Sequence, residues 1–345
     1  MDWFKDEVQR EFNLKTFPNL EDALVYLNLS NSKRAKKGQA RLSVFSREIA
    51  VQGARYFFLE NPKVFYDYYV TMRKKFKTIY EVLLKGKPCR LFFDIEFSKV
   101  LNKGIAGETR MRVFRQFLLE FLQQSLIKLE KGDVTNSSNY GISTVELDSS
   151  NEVKFSRHLI VSLGCYAFSD IDHVGFLVWS LCRKIREKIT TGESSLNCLL
   201  INKAKKEEKQ LLIDTSVYTM SRNFRLVMSA KVKDVGRRHL RVYCVETETC
   251  VHDKLLTKET FLSSLASFPK EEETQNIIDF ALLQPEAWNH YNNRNHRGKP
   301  RNTSSAPMAI DFVKKRLKLT KKSLKSSEVN QDKNQSPRAL SNLIE

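Results

Sequence analysis

Seven residues, Leu91-Phe92-Phe93-Asp94-Ile95-Glu96-Phe97, restrict what this chain can fold into more than any other segment. Residues i and i+2 of a strand project to one face, so Asp94 and Glu96 point together while Phe93, Ile95 and Phe97 fill the other side. A carboxylate set among large apolar groups is disfavoured in its charged form, and its pKa rises unless cations offset the cost. Asp214, in Leu-Leu-Ile-Asp-Thr-Ser-Val-Tyr, has the same setting. Together the three acids are a candidate site for a hard divalent cation with oxygen ligands, Mg2+ or Mn2+.

The rest of the chain suits such a site. Its 345 residues, 41% apolar with 22 Phe and 11 Tyr, suffice for one large or two modest domains. A formal net charge of +18 points to a polyanionic partner, of which nucleic acid is the commonest for a basic protein. Cys89, Cys165, Cys182, Cys198, Cys244 and Cys250 form no CxxC pairs and are too sparse for a disulfide scaffold, so a reducing compartment is expected. The first residues lack a signal peptide's apolar core and carry acids that mitochondrial presequences avoid. No apolar run approaches the roughly 20 residues of a membrane span, and no membrane partner is expected.

Periodicity and breakers predict a helix near Asn19 to Leu29, a basic loop from Asn31 to Arg41, and strands Leu42 to Ile49 and Arg55 to Leu59. A helix from Pro62 to Met72 and the basic sequel Arg73 to Lys77 precede the Asp94 strand. Glu108 to Leu129 carries Met111, Phe114, Phe117, Leu118, Phe121, Leu122, Leu126 and Leu129 at helical spacing, a core-facing stripe. Strands follow at Tyr140 to Leu147 and Phe155 to Leu163, then a helix from about Asp170 to Ile189 and a strand ending at Asp214. Further strands are read at Asn223 to Met228 and Arg241 to Val245, and a helix near Phe261 to Phe268. The expected division is a globular core, 1–293, and a basic tail, 294–345, with a candidate nuclear-import run from Lys314 to Lys322.

Two polar segments complete the chemistry. In Lys154-Phe155-Ser156-Arg157-His158 the first, third and fifth side chains share one face, offering a cation, a hydroxyl and an imidazole suited to a triphosphate. After Asp214 come Arg222, Asn223, Arg225 and Lys231, and guanidiniums recognise phosphate by bidentate hydrogen bonds.

Leu-Phe-Phe-Asp-Ile-Glu-Phe, Leu-Asp-Ser-Ser-x-x-x-Lys-Phe-Ser-Arg-His-Leu-Ile and Asp-x-x-Val-Tyr-Thr-x-x-Arg-Asn-Phe-Arg-Leu closely resemble the three motifs of the eukaryotic primase-polymerases, the PrimPols of the archaeo-eukaryotic primase superfamily. The resemblance covers roughly residues 40 to 270, and the second and third motifs are far more specific than the acid pair. It implies an α+β catalytic core, an RNA-recognition-like module carrying the acids beside a smaller N-terminal α/β module. It implies a template-dependent DNA polymerase with metals on Asp94, Glu96 and Asp214. Lys154, Ser156, Arg157 and His158 would grip the nucleotide, helped by Arg222, Asn223, Arg225 and Lys231. Arg55, in Gly-Ala-Arg-Tyr, and Tyr80, placed where the family has a tyrosine near the incoming sugar, are further nucleotide-binding candidates.

The implied partners are a DNA template-primer and deoxynucleoside triphosphates, with ribonucleotides left open, and a single-strand DNA-binding protein as an optional partner. Basic segments Lys33 to Arg41 and Arg73 to Lys77 are candidates for template phosphates. The implied role is damage tolerance and replication restart, in the nucleus and also mitochondria. The family's usual zinc-binding domain is not evident, since Cys244, Cys250, His252, His290 and His296 lack a ligand spacing, so no zinc is expected and de novo priming is left open. The rival classes are a metal-dependent nuclease, whose usual lysine two residues after the second acid is Ser98 here, and a nonenzymatic nucleic-acid-binding protein.

Overall fold

The structure, a computed structural model, describes residues 14–104, 106–129, 141–204, 208–219, 221–235 and 238–295, with backbone alone at 126–129 and 294–295. The first two residues of the expected tail, 294–295, end a helix, while the rest of it, its import run, His296 and the side chains of Leu126 and Leu129 lie outside the described residues. Contacts gather the chain up to Tyr291 into one compact unit, and a second begins at Asn292. The first unit is α+β, built on two main sheets.

The smaller sheet has five strands in the order β1 (Thr16–Phe17), β3 (Arg55–Glu60), β2 (Ser43–Glu48), β4 (Ile79–Leu83) and β11 (Arg222–Arg225), every neighbour antiparallel. Against it lies helix α1 (Leu20–Lys36), with Ala23 and Leu27 packed among Phe17, Val44, Leu59 and Val82. The basic segment expected as a loop therefore starts inside a helix. Asn19 caps its first turn by accepting from the Asp22 amide, Glu21 and Asp22 sit at the positive end, and Lys33, Arg34 and Lys36 sit at the negative end. The charge run supports this helix instead of ending it. Gly38, at φ +62°, closes it while Gln39 N donates to Arg34 O at 2.9 Å.

The larger sheet runs β13 (Thr249–Cys250), β12 (Arg241–Cys244), β6 (Ile142–Asp148), β7 (Lys154–Leu163), β8 (Tyr166–Phe168) and β14 (Asn276–Ile278). Strand β5 (Leu91–Ser98), which bears the first two acids, pairs antiparallel with β7 along its whole length. Its two faces divide as the alternation requires. Phe93 meets Phe114 of helix α3 (Gly107–Leu129) with ring centroids 5.2 Å apart, and Phe97 stacks on Phe155 at 4.9 Å. Met111, Phe114, Phe117, Leu118 and Leu122 of α3 are buried. A Cβ on Gly107 would lie 2.3 Å from the Phe155 ring, so only glycine lets α3 start this close to the sheet. On the other face Phe92 packs against Tyr218 at 5.2 Å and Phe224 at 4.9 Å, joining the first motif to the third.

Helices α2 (Pro62–Tyr69) and α4 (Ile171–Thr190) begin at side-chain caps, Asn61 and Asp170. The strand expected to end at Asp214 is shorter: β10 (Gln210–Leu211) pairs with β9 (Leu200–Ile201), and Ile213 makes only a single bridge to Ile95. The chain leaves the sheet there because Asp214 caps a 3-10 turn, Thr215–Val217, by accepting from the Ser216 amide at 2.9 Å. The last predicted helix is displaced to α5 (Lys258–Ser263), since Ala266 N and Ser267 N leave the helical pattern to bind the buried Glu81 carboxylate at 3.0 and 2.7 Å. Helices α6 (Phe280–Leu283) and α7 (Pro285–Asn295) follow β14. No described helix is long and apolar enough to cross a membrane.

Candidate active site

Pairing of β5 with β7 places Asp94 opposite His158, Glu96 opposite Ser156 and Ser98 opposite Lys154. Because both strands alternate, the acids share a face with Lys154, Ser156 and His158. Lys154 Nζ forms a salt bridge with Glu96 Oε2, and His158 Nε2 lies 3.9 Å from Asp94 Oδ1. The third acid arrives through the backbone, where Asp214 N donates to Asp94 O at 2.8 Å.

Strand β11 of the smaller sheet brings the third motif to this face. Phe224 stacks on the His158 imidazole, centroids 4.2 Å apart and planes inclined by 22°. Arg225 Nη2 donates to Ser149 Oγ at 2.9 Å, and Ser149 Oγ donates to Ser156 Oγ at 3.2 Å, so one hydroxyl ties the second motif to the third. Ser46 Oγ donates to Asn223 Oδ1 at 2.5 Å, fixing the amide while its nitrogen stays available. Neither Ser46 nor Ser149 stood out as a site residue in the sequence. Ser149 carried the better signal, lying in the polar turn that feeds Lys154, whereas Ser46 is one polar residue in an apolar strand.

Burial pushes the Asp94 carboxyl up to about 6, reinforced by Glu96 and Asp214 and partly offset by Lys154 and Arg225. That is the shift expected of an acid set in an apolar strand. His158 is held well below the usual imidazole range, first by burial and then by Arg225, Lys231, Arg222 and Lys154, so the ring is neutral near pH 7. Partial burial of its ammonium, then Arg225 and Lys154, lower the pKa of Lys231. Asp94 Oδ1, His158 Nδ1, Arg222 Nε and Arg55 Nη1 are buried without a hydrogen-bond partner. Buried polar atoms are nearly always paired, so a set of orphans on one constellation marks a place where a ligand completes the bonding.

Arg55 and Tyr80 form an adjoining cluster. The Arg55 guanidinium sits over the Tyr80 ring, 4.0 Å from its centroid, and Tyr80 pairs across the strands with Arg225. The Tyr80 hydroxyl donates to Glu48 Oε2 at 2.8 Å, and burial followed by this bond raises its pKa to about 12.

Two expectations need correction. Arg157 does not face the site: it lies on the opposite side of β7, 1% exposed, bonded to Glu108, Glu146 and Asp148, with its guanidinium 3.5 Å from the Tyr243 ring centroid. Strand alternation dictates this, since Arg157 falls between Ser156 and His158. Lys77 is not a surface cation for template phosphate. It is 3% exposed, donates to Val70 O at 3.1 Å, and burial lowers its pKa to about 8, while Arg73, Lys74 and Lys75 remain exposed.

Among the described residues no three or more His, Cys, Asp or Glu side chains are gathered into a group that would hold a metal ion. Glu96 is turned to Lys154 and Asp214 to the Ser216 amide, whereas Asp94 Oδ1 is buried without a hydrogen-bond partner.

No family model matches the chain. It is 30% identical over 219 residues to the DNA-directed primase/polymerase protein of Danio rerio, covering 57% of this chain and 40% of that one. The proteins of the same name from Mus musculus and Homo sapiens are 28% identical over 273 residues and 27% over 297, covering 66% and 68% of this chain. The chain spans about half the length of these curated relatives, 47% and 50% of the latter two. By sequence, this chain is similar to the DNA-directed primase/polymerase proteins.

Proposed function

We propose that this chain contains the catalytic core of a template-dependent DNA polymerase of the primase-polymerase type. The observation that carries the proposal is the β5–β7 register, which sets Lys154, Ser156 and His158 across from Asp94 and Glu96 while β11 brings Phe224 against the His158 ring and Arg225 to Ser149. In this reading the larger sheet is the RNA-recognition-like module and the smaller sheet with α1 is the N-terminal module.

Asp94, Glu96 and Asp214 would hold Mn2+ or Mg2+, which when bound lowers the pKa of the primer 3′-hydroxyl and stabilises the leaving pyrophosphate. The fit rests on Asp94, whose buried oxygen lacks a partner and whose ionisation is opposed by the two neighbouring acids. Glu96 would exchange Lys154 for the cation, releasing the ammonium toward phosphate. Neutral His158 offers a ring N–H to a phosphate oxygen, and the Phe224 stack fixes the plane of that donor. Arg222, Arg225 and Lys231 supply positive charge where charge builds on the transferring phosphates. Arg225 reaches the site already oriented by Ser149. Asn223, held by Ser46, presents its amide nitrogen. Exposed Arg73, Lys74 and Lys75 suit template phosphates without sequence preference. The proposal extends to a role in damage tolerance and replication restart, in the nucleus and also mitochondria, as the resemblance of the three motifs implies.

The test is extension of a 5′-labelled primer on a longer DNA template with deoxynucleoside triphosphates and Mn2+ or Mg2+, with Asp94→Ala in parallel. Extension by the wild type, lost in the variant with DNA binding retained, supports the proposal. Tight DNA binding without extension under either metal would leave a nonenzymatic binding protein, and template shortening would point to a nuclease.

A further inference from the structure

We propose that Glu48 is a positioning residue for nucleotide binding: one carboxylate that sets Tyr80, Arg55 and the Lys231 segment in place together. The inference rests on the polymerase reading above. Glu48 ends β2, and its backbone is fastened twice to Thr78, the residue before β4, Glu48 N donating to Thr78 O at 2.9 Å and Thr78 Oγ1 donating to Glu48 O at 2.7 Å. The side chain is 11% exposed. Oε2 accepts from the Tyr80 hydroxyl at 2.8 Å and from Val232 N, the amide next after Lys231, at 3.1 Å. Oε1 faces Arg55 Nη2 at 3.6 Å, across the β2–β3 register in which Glu48 pairs with Arg55.

Three features separate this from an ordinary structural ion pair. Its contacts converge from three separate segments, β3, β4 and the loop after β11, and each carries or adjoins a residue of the candidate nucleotide face. The Arg55–Glu48 separation exceeds hydrogen-bonding distance, so the charge steers the guanidinium over the Tyr80 ring while Arg55 Nη1 stays buried and unpartnered. A carboxylate could not itself contact a triphosphate without repulsion, and this one is covered by Arg55, Tyr80 and the Val232 amide. Glu48 therefore acts through its neighbours, and what it positions is the pair, Arg55 over Tyr80, beside Arg225.

Steady-state extension by Glu48→Gln and Glu48→Ala tests this, with the incoming nucleotide varied on a fixed template-primer. Glu48→Gln keeps an acceptor for Tyr80 and loses only the charge facing Arg55. Losing hydrogen bonds to a charged acceptor predicts a rise in nucleotide KM of about 10-fold or more for Glu48→Ala, a smaller rise for Glu48→Gln, and kcat within about 3-fold for both. The preference for deoxy- over ribonucleotides should shift in the same order. A KM and sugar preference within 2-fold of wild type in a folded Glu48→Ala protein would overturn the inference, as would a loss of kcat alone in proportion to misfolded protein. If the wild type fails to extend yet binds fluorescent nucleotide, the polymerase reading falls, and the dissociation constants of the variants decide for Glu48. A wild type that neither extends nor binds nucleotide overturns both.

Discussion

The two faces of β7 are built from alternating residues of one strand, yet they use charge in opposite ways. On one side Arg157 is enclosed by Glu108, Glu146 and Asp148 and covered by Tyr243. On the other Lys154 meets a single acid, and His158 and its neighbour Asp94 each keep a buried atom with no partner. A buried charge is tolerable when its hydrogen bonds are complete, so the Arg157 face is finished architecture. The opposite face is left incomplete, at a cost in stability, and under the proposed function a ligand with phosphate and cations would complete it. Charge content does not distinguish a structural face from a functional one; satisfaction of that charge does.

The largest effect should come from breaking the finished face. Arg157→Ala would remove the shared partner of three carboxylates, leaving Glu146, 2% exposed, with Arg115 alone, and should lower stability by about 3–5 kcal/mol in denaturant titration, enough to unfold a marginal protein. Lys154→Ala, one residue type and three positions away, should change stability by less than about 1 kcal/mol because its pair is half exposed. Primer extension should order these the other way for folded protein: Lys154→Ala and His158→Ala should each lose about 100-fold in kcat/KM. Equal losses of stability at Lys154 and Arg157 would dissolve the contrast.

Asp94→Asn sharpens it further. The folded carboxyl titrates near 6 against an ordinary value of 3.8, so the folded state holds its proton more tightly and pays for ionisation once pH exceeds that point. The variant should abolish extension while raising metal-free stability by about 1–2 kcal/mol above pH 6, the gain shrinking to nothing near pH 4. Divalent cation binding by the wild type should weaken as pH falls below 6, which calorimetry at pH 5 and 7 would show. Smallest is Lys77. Its folded pKa near 8 lies below the ordinary 10.5, so stability should climb by about 1–2 kcal/mol between those pH values, and Lys77→Met should flatten that slope in thermal melts.

Much of this was legible in the sequence because it depends on local alternation. Phe93, Ile95 and Phe97 against Asp94 and Glu96 give the faces of β5, and Lys154, Ser156 and His158 give the working face of β7. The same rule, applied one residue further, excludes Arg157 from that face, and only the wider motif drew it in. Helix α1 was harder, because Lys33, Arg34 and Lys36 read as a loop until the helix's negative end supplies their partner. What stayed hidden was non-local. That β11 joins the smaller sheet while its residues complete a site on the larger one follows from pairing with β4, more than a hundred residues earlier in the chain. Glu48 carries no local signal, since its meaning lies in three segments that meet only in the fold. Strand β14 escaped for a similar reason: its three residues are defined by a parallel neighbour, β8.

Nucleotide binding to a halted complex tests the central claim most directly. The chain would be bound to a template with a dideoxy-terminated primer, then titrated calorimetrically with the complementary deoxynucleoside triphosphate and Mn2+, for wild type, His158→Ala and a folded Arg157→Lys control. The account predicts saturable binding by the wild type, weakened at least 10-fold by His158→Ala and little changed in the control. Absence of saturable binding by folded wild-type protein, or undiminished affinity in His158→Ala, would contradict it.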